Sequence, residues 1–122
     1  MIEHVALNVK NLEVSKAFYQ KALAPLGIAA VMSFPDWEGF GAEGKPRLWL
    51  ARRDPVAKGV HVALHCAKRA QVDAFHAAAL KAGGTDHGQP GIRKDYSPNY
   101  YAAFILDPDG NNIEALCQDP QG

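Results

Sequence analysis

Residues 4–27, HVALNVKNLEVSKAFYQKALAPLG, align without a gap to residues 61–84, HVALHCAKRAQVDAFHAAALKAGG. The identities are His4/His61, Val5/Val62, Ala6/Ala63, Leu7/Leu64, Ala17/Ala74, Phe18/Phe75, Ala22/Ala79, Leu23/Leu80 and Gly27/Gly84, nine of the aligned pairs. Ordinary composition gives about one or two by accident in such a stretch. The chain therefore reads as two copies of one unit. The first covers residues 1 to about 55 and the second about 58 to 118, joined by the turn-rich segment from Arg53-Asp54-Pro55 to Lys58-Gly59.

Each copy opens with a short Val- and Leu-rich segment, HVALNV or VHVALHC, bounded by polar residues, which reads as a strand. A helix follows. Asn11 is positioned as its N-cap, Leu12, Ser15, Phe18, Ala22, Leu23 and Leu26 recur at helical spacing, and Gly27 stands where a C-terminal glycine belongs. In the second copy Val72, Phe75, Ala79 and Leu80 repeat that stripe ahead of Gly83-Gly84. Beyond each helix the pattern changes to short strands and turns. Strands are expected near Ile28 to Ser33, Phe40 to Ala42 and Arg47 to Arg52, and again near His87, Tyr100 to Leu106 and Asn111 to Cys117. Each unit is then βαβββ, an α+β architecture with helices on one face of the sheet and the other face open.

Alternation along the strands assigns the faces. Val5, Leu7 and Val9 suit the helix side, which sends His4, Ala6 and Asn8 to the concave side. In the copy Val62, Leu64 and Cys66 go under the helix while His61, Ala63 and His65 face out. Because duplication makes His4 and His61 equivalent, a pseudo-two-fold arrangement is expected to bring them together. The third group comes from the turn Asp107-Pro108-Asp109-Gly110. With Pro108, Asp109 and Gly110 as the loop, Asp107 pairs with Asn111 and, counting outward, Phe104 with Glu114. Glu114 then faces the cleft beside Phe104, Ala102 and Tyr100. A carboxylate there is costly unless paired, hydrogen-bonded or bound to a cation. Two imidazoles and a carboxylate suit Fe(II), Mn(II), Zn(II) or Ni(II) and leave positions open for substrate or water. The alternative for a lone strand histidine is a hydrogen bond within the sheet. The duplicated HVAL and the cleft-facing Glu favour the metal.

Composition excludes other classes. Of 122 residues, Lys and Arg number 13 and Asp and Glu 13, so the formal charge is zero and no basic footprint for nucleic acid or an anionic bilayer exists. No apolar run approaches the roughly 20 residues of a membrane span, and Met1-Ile2-Glu3-His4 lacks the opening of a secretory signal. A soluble, cytoplasmic protein is expected, with Cys66 and Cys117 as buried thiols and not a disulfide.

The stretches IEHVALNV, AFYQKALAPLG, the second HVAL and YYAAFILDPDGNNIEA together resemble the vicinal oxygen chelate superfamily, the glyoxalase, bleomycin-resistance and extradiol dioxygenase group. The resemblance covers nearly the whole chain. It implies paired βαβββ modules forming a cupped mixed sheet, frequent homodimers, and a divalent metal that chelates two adjacent oxygens of a small-molecule substrate. Carried over by position, the metal ligands are His4, His61 and Glu114. Glyoxalase I enzymes add a fourth ligand, usually Glu, where alternation through Arg47-Leu48-Trp49-Leu50-Ala51 places Trp49, which cannot bind metal. Fosfomycin-resistance thiol transferases carry Thr where this chain has Ala6. The resemblance therefore implies a metal-dependent lyase, isomerase, thiol transferase or dioxygenase, and leaves the choice open.

Around that centre, Tyr100 is a candidate to orient or protonate a bound oxygen, or serves as aromatic lining. His65 either approaches the site or sits on its rim. Residues Asp86 to Asn99, dense in Gly and Pro, read as a lid or binding loop, opposite aromatic surface from Trp37 and Phe40; Arg93 and Lys94 on it are either solvated surface charges, the default, or groups that steer an anionic substrate. Substrate-pocket candidates are thus Trp49, His65, Phe104 and Arg93. The competing class is a metal-free protein that binds and sequesters an antibiotic-type molecule; the three retained ligands argue against it.

Overall fold

Strand β1 (Val5–Val9) buries Leu7 and Val9 and leaves Ala6 exposed, the alternation expected of a sheet covered on one side. In this computed structural model, which describes residues 1–122, it leads into helix α1 (Leu12–Leu23). The Asn11 side chain caps that helix by accepting from the Val14 amide at 3.0 Å. A 3-10 turn, Ala24–Leu26, ends at Gly27, whose φ of 74° is the left-handed conformation that favours glycine. Strands β2 (Ala29–Phe34), β3 (Trp37–Ala42) and β4 (Lys45–Arg52) complete the first module. The second repeats it as β5 (His61–His65), α2 (Arg69–Lys81), β6 (Thr85–Ile92), β7 (Tyr101–Leu106) and β8 (Asn112–Cys117).

The strand orders are β1-β4-β3-β2 and β5-β8-β7-β6. Each first strand is parallel to the last of its module, and the other pairs are antiparallel. The result is two four-stranded mixed sheets, and no ladder joins β1 to β5. Hydrophobic packing unites the modules instead. One cluster of 19 buried residues takes Phe18, Tyr19, Ala22 and Leu23 from α1, Val72, Phe75 and Ala79 from α2, and side chains from both sheets, so the modules share a core. The helices lie against each other. At the end of α2, Gly84 approaches Phe18 so closely that a Cβ there would stand 2.9 Å from the Phe18 ring. No helix is long and apolar enough to cross a membrane.

Two expectations change. The strand expected near His87 runs from Thr85 to Ile92 as β6 and takes up the first part of the loop expected from Asp86; it pairs with β7 through a register broken by bulges, so periodicity did not announce its length. On α2 the buried stripe is Val72, Phe75, His76 and Ala79, while Leu80 is exposed. His76 is accommodated because its Nε2 lies 2.8 Å from Asp86 Oδ1 on β6. Each sheet keeps its own ladder, so the two expected βαβββ modules stand as two four-stranded mixed sheets. The hairpin count is met: Phe104 pairs with Glu114, and the Asp107 amide donates to the Asn111 carbonyl at 2.9 Å.

Candidate functional site

Register on β8 builds the centre of the site. Its residues Asn112, Glu114 and Leu116 lie on one face, with His61, Ala63 and His65 of β5 beside them on one side and Phe104 opposite Glu114 on the other. Ala102, Phe104 and Leu116 form a small apolar cluster on this face, with Tyr100 packed against it. Within it Glu114 is only 2% exposed. A buried carboxylate needs partners. His61 Nε2 lies 2.8 Å from Oε1, and the Tyr100 hydroxyl donates to Oε2 at 2.5 Å. Burial first, and then the bond to Glu114, push the Tyr100 pKa far above its ordinary value, so the phenol stays a proton donor at neutral pH. Tyr96 meets Tyr100 edge-on with ring centroids 5.0 Å apart, and Phe104 lies 6.2 Å from the His61 ring.

The structure thus gathers His61, Glu114, Tyr100 and Phe104. His4 stands elsewhere. Its Nδ1 lies 2.5 Å from Glu3 Oε1, Arg47 donates to Glu3 Oε2 at 2.8 Å, and the trio is half exposed or more. The hydrogen bond from His4, more than the nearby Arg47 charge, holds the Glu3 carboxyl below its usual range. Both histidines line a cavity of about 780 Å³ between β1 and β5, which is otherwise largely apolar and includes Ile2, Leu23, Val62 and Leu64. Within one chain no three His, Cys, Asp or Glu side chains form a group able to hold a metal ion. The expected convergence of His4 with His61 and Glu114 is therefore not made inside a single chain. Alternation fixes the side of a sheet on which a residue stands, but not the distance between two sheets with no common ladder.

In the first module Trp49 occupies the place that Glu114 has in the second: Trp49 pairs with Ala6 as Glu114 pairs with Ala63. Aromatic bulk is exchanged between strands. Trp49 lies opposite Gly39, where a Cβ would come within 2.9 Å of its ring, whereas Phe104 lies opposite the slimmer Glu114. Phe34 stacks on Trp49 at 6.4 Å and Trp37 meets it edge-on at 6.3 Å, an aromatic wall on the module's concave face. His65 is exposed, opposite Leu116 on β8. Arg93, just beyond β6, lies over Phe104 with its guanidinium 5.3 Å from the ring centroid and donates to the Gln89 carbonyl at 2.5 Å.

Sequence reasoning missed several groups. Glu3 and Arg47, which flank His4, gave no motif. Glu38 is 2% exposed, accepts from the Ser33 hydroxyl at 2.6 Å and pairs with Lys16 at 3.4 Å, on the helix side where an apolar residue is the rule. Tyr19 donates to Asp107 Oδ2, while Asp107 Oδ1 accepts from the Asp109 and Asn111 amides, both at 2.9 Å. Asn111 in turn reaches the Ala57 carbonyl and the Val60 amide of the linker, at 3.0 Å each. Asp107 and Asn111 are thus committed to holding the turn, α1 and the linker together.

The sequence model of the Glyoxalase/Bleomycin resistance protein/Dioxygenase superfamily matches residues 1–115. Among solved structures, a glyoxalase/bleomycin resistance protein from Albidiferax ferrireducens T118 is 31% identical with a TM-score of 0.83, over 96% of this chain and 98% of that one. A putative glyoxalase from Bacillus halodurans is 27% identical, TM-score 0.70, over 96% and 95%. A lactoylglutathione lyase from Agrobacterium tumefaciens shares the fold at 20% identity, TM-score 0.69, over 96% and 92%. A comparison with curated proteins finds no match.

Proposed function

Since the chain belongs to the Glyoxalase/Bleomycin resistance protein/Dioxygenase superfamily, we propose that it is a divalent-metal-dependent enzyme acting on a small metabolite with two neighbouring oxygens. The observation that carries this reading is the pairing of His61 Nε2 with Glu114 Oε1 at 2.8 Å on a carboxylate that is 2% exposed. Two donors of the right chemistry stand side by side, with the second oxygen of Glu114 fixed by Tyr100.

His61 and Glu114 supply two ligands, and His4 of a second copy of the chain supplies the third. Support for the homodimer comes from the edges. β1 and β5 each have one unpaired side, and a largely apolar cavity of about 780 Å³ lies between them. The bound cation would polarise the substrate oxygens and hold them for reaction. The chain's own groups do the remaining work. Tyr100 Oη keeps its proton on Glu114 Oε2 and so fixes that oxygen, and the apolar patch of Ala102, Phe104 and Leu116 shields the pair from water. The two buried, unpaired thiols favour a cytoplasmic location.

One observation favours a second reading. Trp49 with Phe34 and Trp37 forms a wall suited to stacking a flat molecule, as a metal-free sequestration protein requires. Metal analysis of protein purified without an affinity tag separates the two. About one transition-metal ion per chain is expected on the enzymatic reading. An apo protein that also refuses added metal overturns that reading and leaves sequestration.

A further inference from the structure

A second pocket, of about 300 Å³, opens beside the centre just described and is lined by His87, Gly88, Arg93, Tyr96, Phe104 and Asn112. No carboxylate lines it, and Arg93 gives it a fixed positive charge. The guanidinium is seated, not merely solvated. It lies over the Phe104 ring, donates through Nη2 to the Gln89 carbonyl, and crosses two glycines of β6. A Cβ at Gly88 would fall 3.3 Å from Nη2, and one at Gly91 3.2 Å from Nη1. At the pocket's other side, Asn112 Oδ1 is buried with no hydrogen-bond partner, an unmet acceptor that costs stability unless a ligand supplies a donor. Asn112 stands next to His61 in the β5–β8 register, Phe104 opposite Glu114, and Tyr96 against Tyr100, so the pocket is continuous with the centre.

We propose that this pocket is the substrate's anchoring subsite. It binds an oxyanion, a carboxylate or a phosphate, at Arg93 with help from His87 and Tyr96, and Asn112 Oδ1 accepts from a hydroxyl or amino group beside that anion. The inference rests on the reading of His61 and Glu114 as the reaction centre. It names the substrate class as a small anionic metabolite held at one end and reacted at the other. A bidentate oxyanion contact with a pre-positioned guanidinium is the strong form of such a bond, and binding energy from that remote end orients the reacting end.

The test is an NMR titration of isotopically labelled, metal-free protein at constant ionic strength, with inorganic phosphate, L-lactate, acetate and chloride in separate arms. Phosphate or lactate is expected to shift the Arg93 Nε–H, the His87 ring and the Asn112 side-chain amide saturably, and whichever binds tighter identifies the oxyanion. Lactate is expected to bind more tightly than acetate; equal affinity overturns the role given to Asn112. Arg93→Gln, at a half-buried position, is expected to weaken binding about tenfold or more. Gly91→Ala, whose Cβ would meet only the guanidinium, at 3.2 Å, and which keeps every polar group, is expected to do the same. Unsaturable shifts, or equal affinity in Arg93→Gln, overturn the subsite. Divalent-metal uptake of Arg93→Gln is measured in parallel and is expected to match the unaltered protein. Anion binding in a protein that refuses metal overturns the reaction centre and spares the pocket, while metal uptake without anion binding does the reverse.

Discussion

The phenol of Tyr19, on the helix of the first module, donates to the carboxylate of Asp107, on the last turn of the second, across 88 residues of sequence at 2.5 Å. Tyr19 is fully buried, and Asp107 nearly so. Removing the hydroxyl by Tyr19→Phe leaves Asp107 Oδ2 with only the Asn111 side-chain amide, at 3.2 Å. The expected loss is about 1.5–3 kcal/mol, typical of a buried hydrogen bond to a charged group. It is read as a lowered denaturation midpoint with an unchanged slope. A loss under roughly 0.5 kcal/mol, the scatter of ordinary surface substitutions, contradicts the assignment.

The same pair sets an alkaline limit. Burial, followed by the Asp107 charge, raises the Tyr19 pKa well above its ordinary 10.0. A raised folded-state pKa means that the stabilisation is complete below pH 10 and is lost as pH climbs toward the folded value. Denaturation midpoints measured upward from pH 9 are expected to fall more steeply in the unaltered protein than in Tyr19→Phe. Parallel curves exclude Tyr19 as the source.

The proposed metal centre, shared between two chains, predicts complementation. His4→Ala and His61→Ala homodimers are each expected to take up no metal and to keep their circular dichroism, since both side chains are about half exposed. Mixed in equal amounts after mild dissociation, they re-pair so that about half of the dimers are mixed, each with one intact and one doubly altered site, and uptake should return to roughly a quarter of a full complement. No recovery, with mixed dimers present by mass, places the ligands in a single chain.

In the proposed centre Tyr100 acts by holding Glu114 Oε2. Tyr100→Phe keeps the edge-on contact with Tyr96 but frees Glu114 Oε2. Metal affinity by calorimetry is expected to drop roughly 10- to 100-fold, the usual effect of removing the hydrogen bond behind a ligand. Unchanged affinity removes Tyr100 from that role.

Neither cysteine should react in the native state. Cys66 and Cys117 are buried, and burial pushes the Cys66 thiol up to about 11, so almost no thiolate is present near pH 8. A thiol reagent at pH 8 is expected to label neither until denaturant is added. Rapid native labelling of Cys66 contradicts its placement.

Much of this was legible because two local signals carry long-range consequences. The repeated HVAL and helix stripe dictate two equal modules, and the Pro-Asp-Gly turn fixes a register from which Phe104 opposite Glu114 follows by counting. Trp49 in the position equivalent to Glu114 follows from alternation in the same way. The extent of β6 beyond the strand expected near His87 escaped because Thr85–Ile92 contains Gly88, Pro90 and Gly91 and has no alternation of its own; its pairing with β7 makes it a strand. Leu80 and His76 exchanged roles since hydrophobicity cannot foresee a partner such as Asp86 on another element. His4 escaped for a geometric reason: the placement of one sheet relative to another depends on how α1 and α2 pack, and nothing local encodes that.

The network around Asp107 and Asn111 changes what the segment 107–112 can signify. The polar atoms of Asp107 and Asn111 are spent on a tyrosine, two turn amides and the linker backbone, none of which meets a substrate. A descendant that had abandoned chemistry altogether would still need this clasp to remain folded. Family membership recognised through those letters is therefore a statement about ancestry and scaffold, and the chemical vocation of any bearer has to be read two residues further along, at the carboxylate of β8.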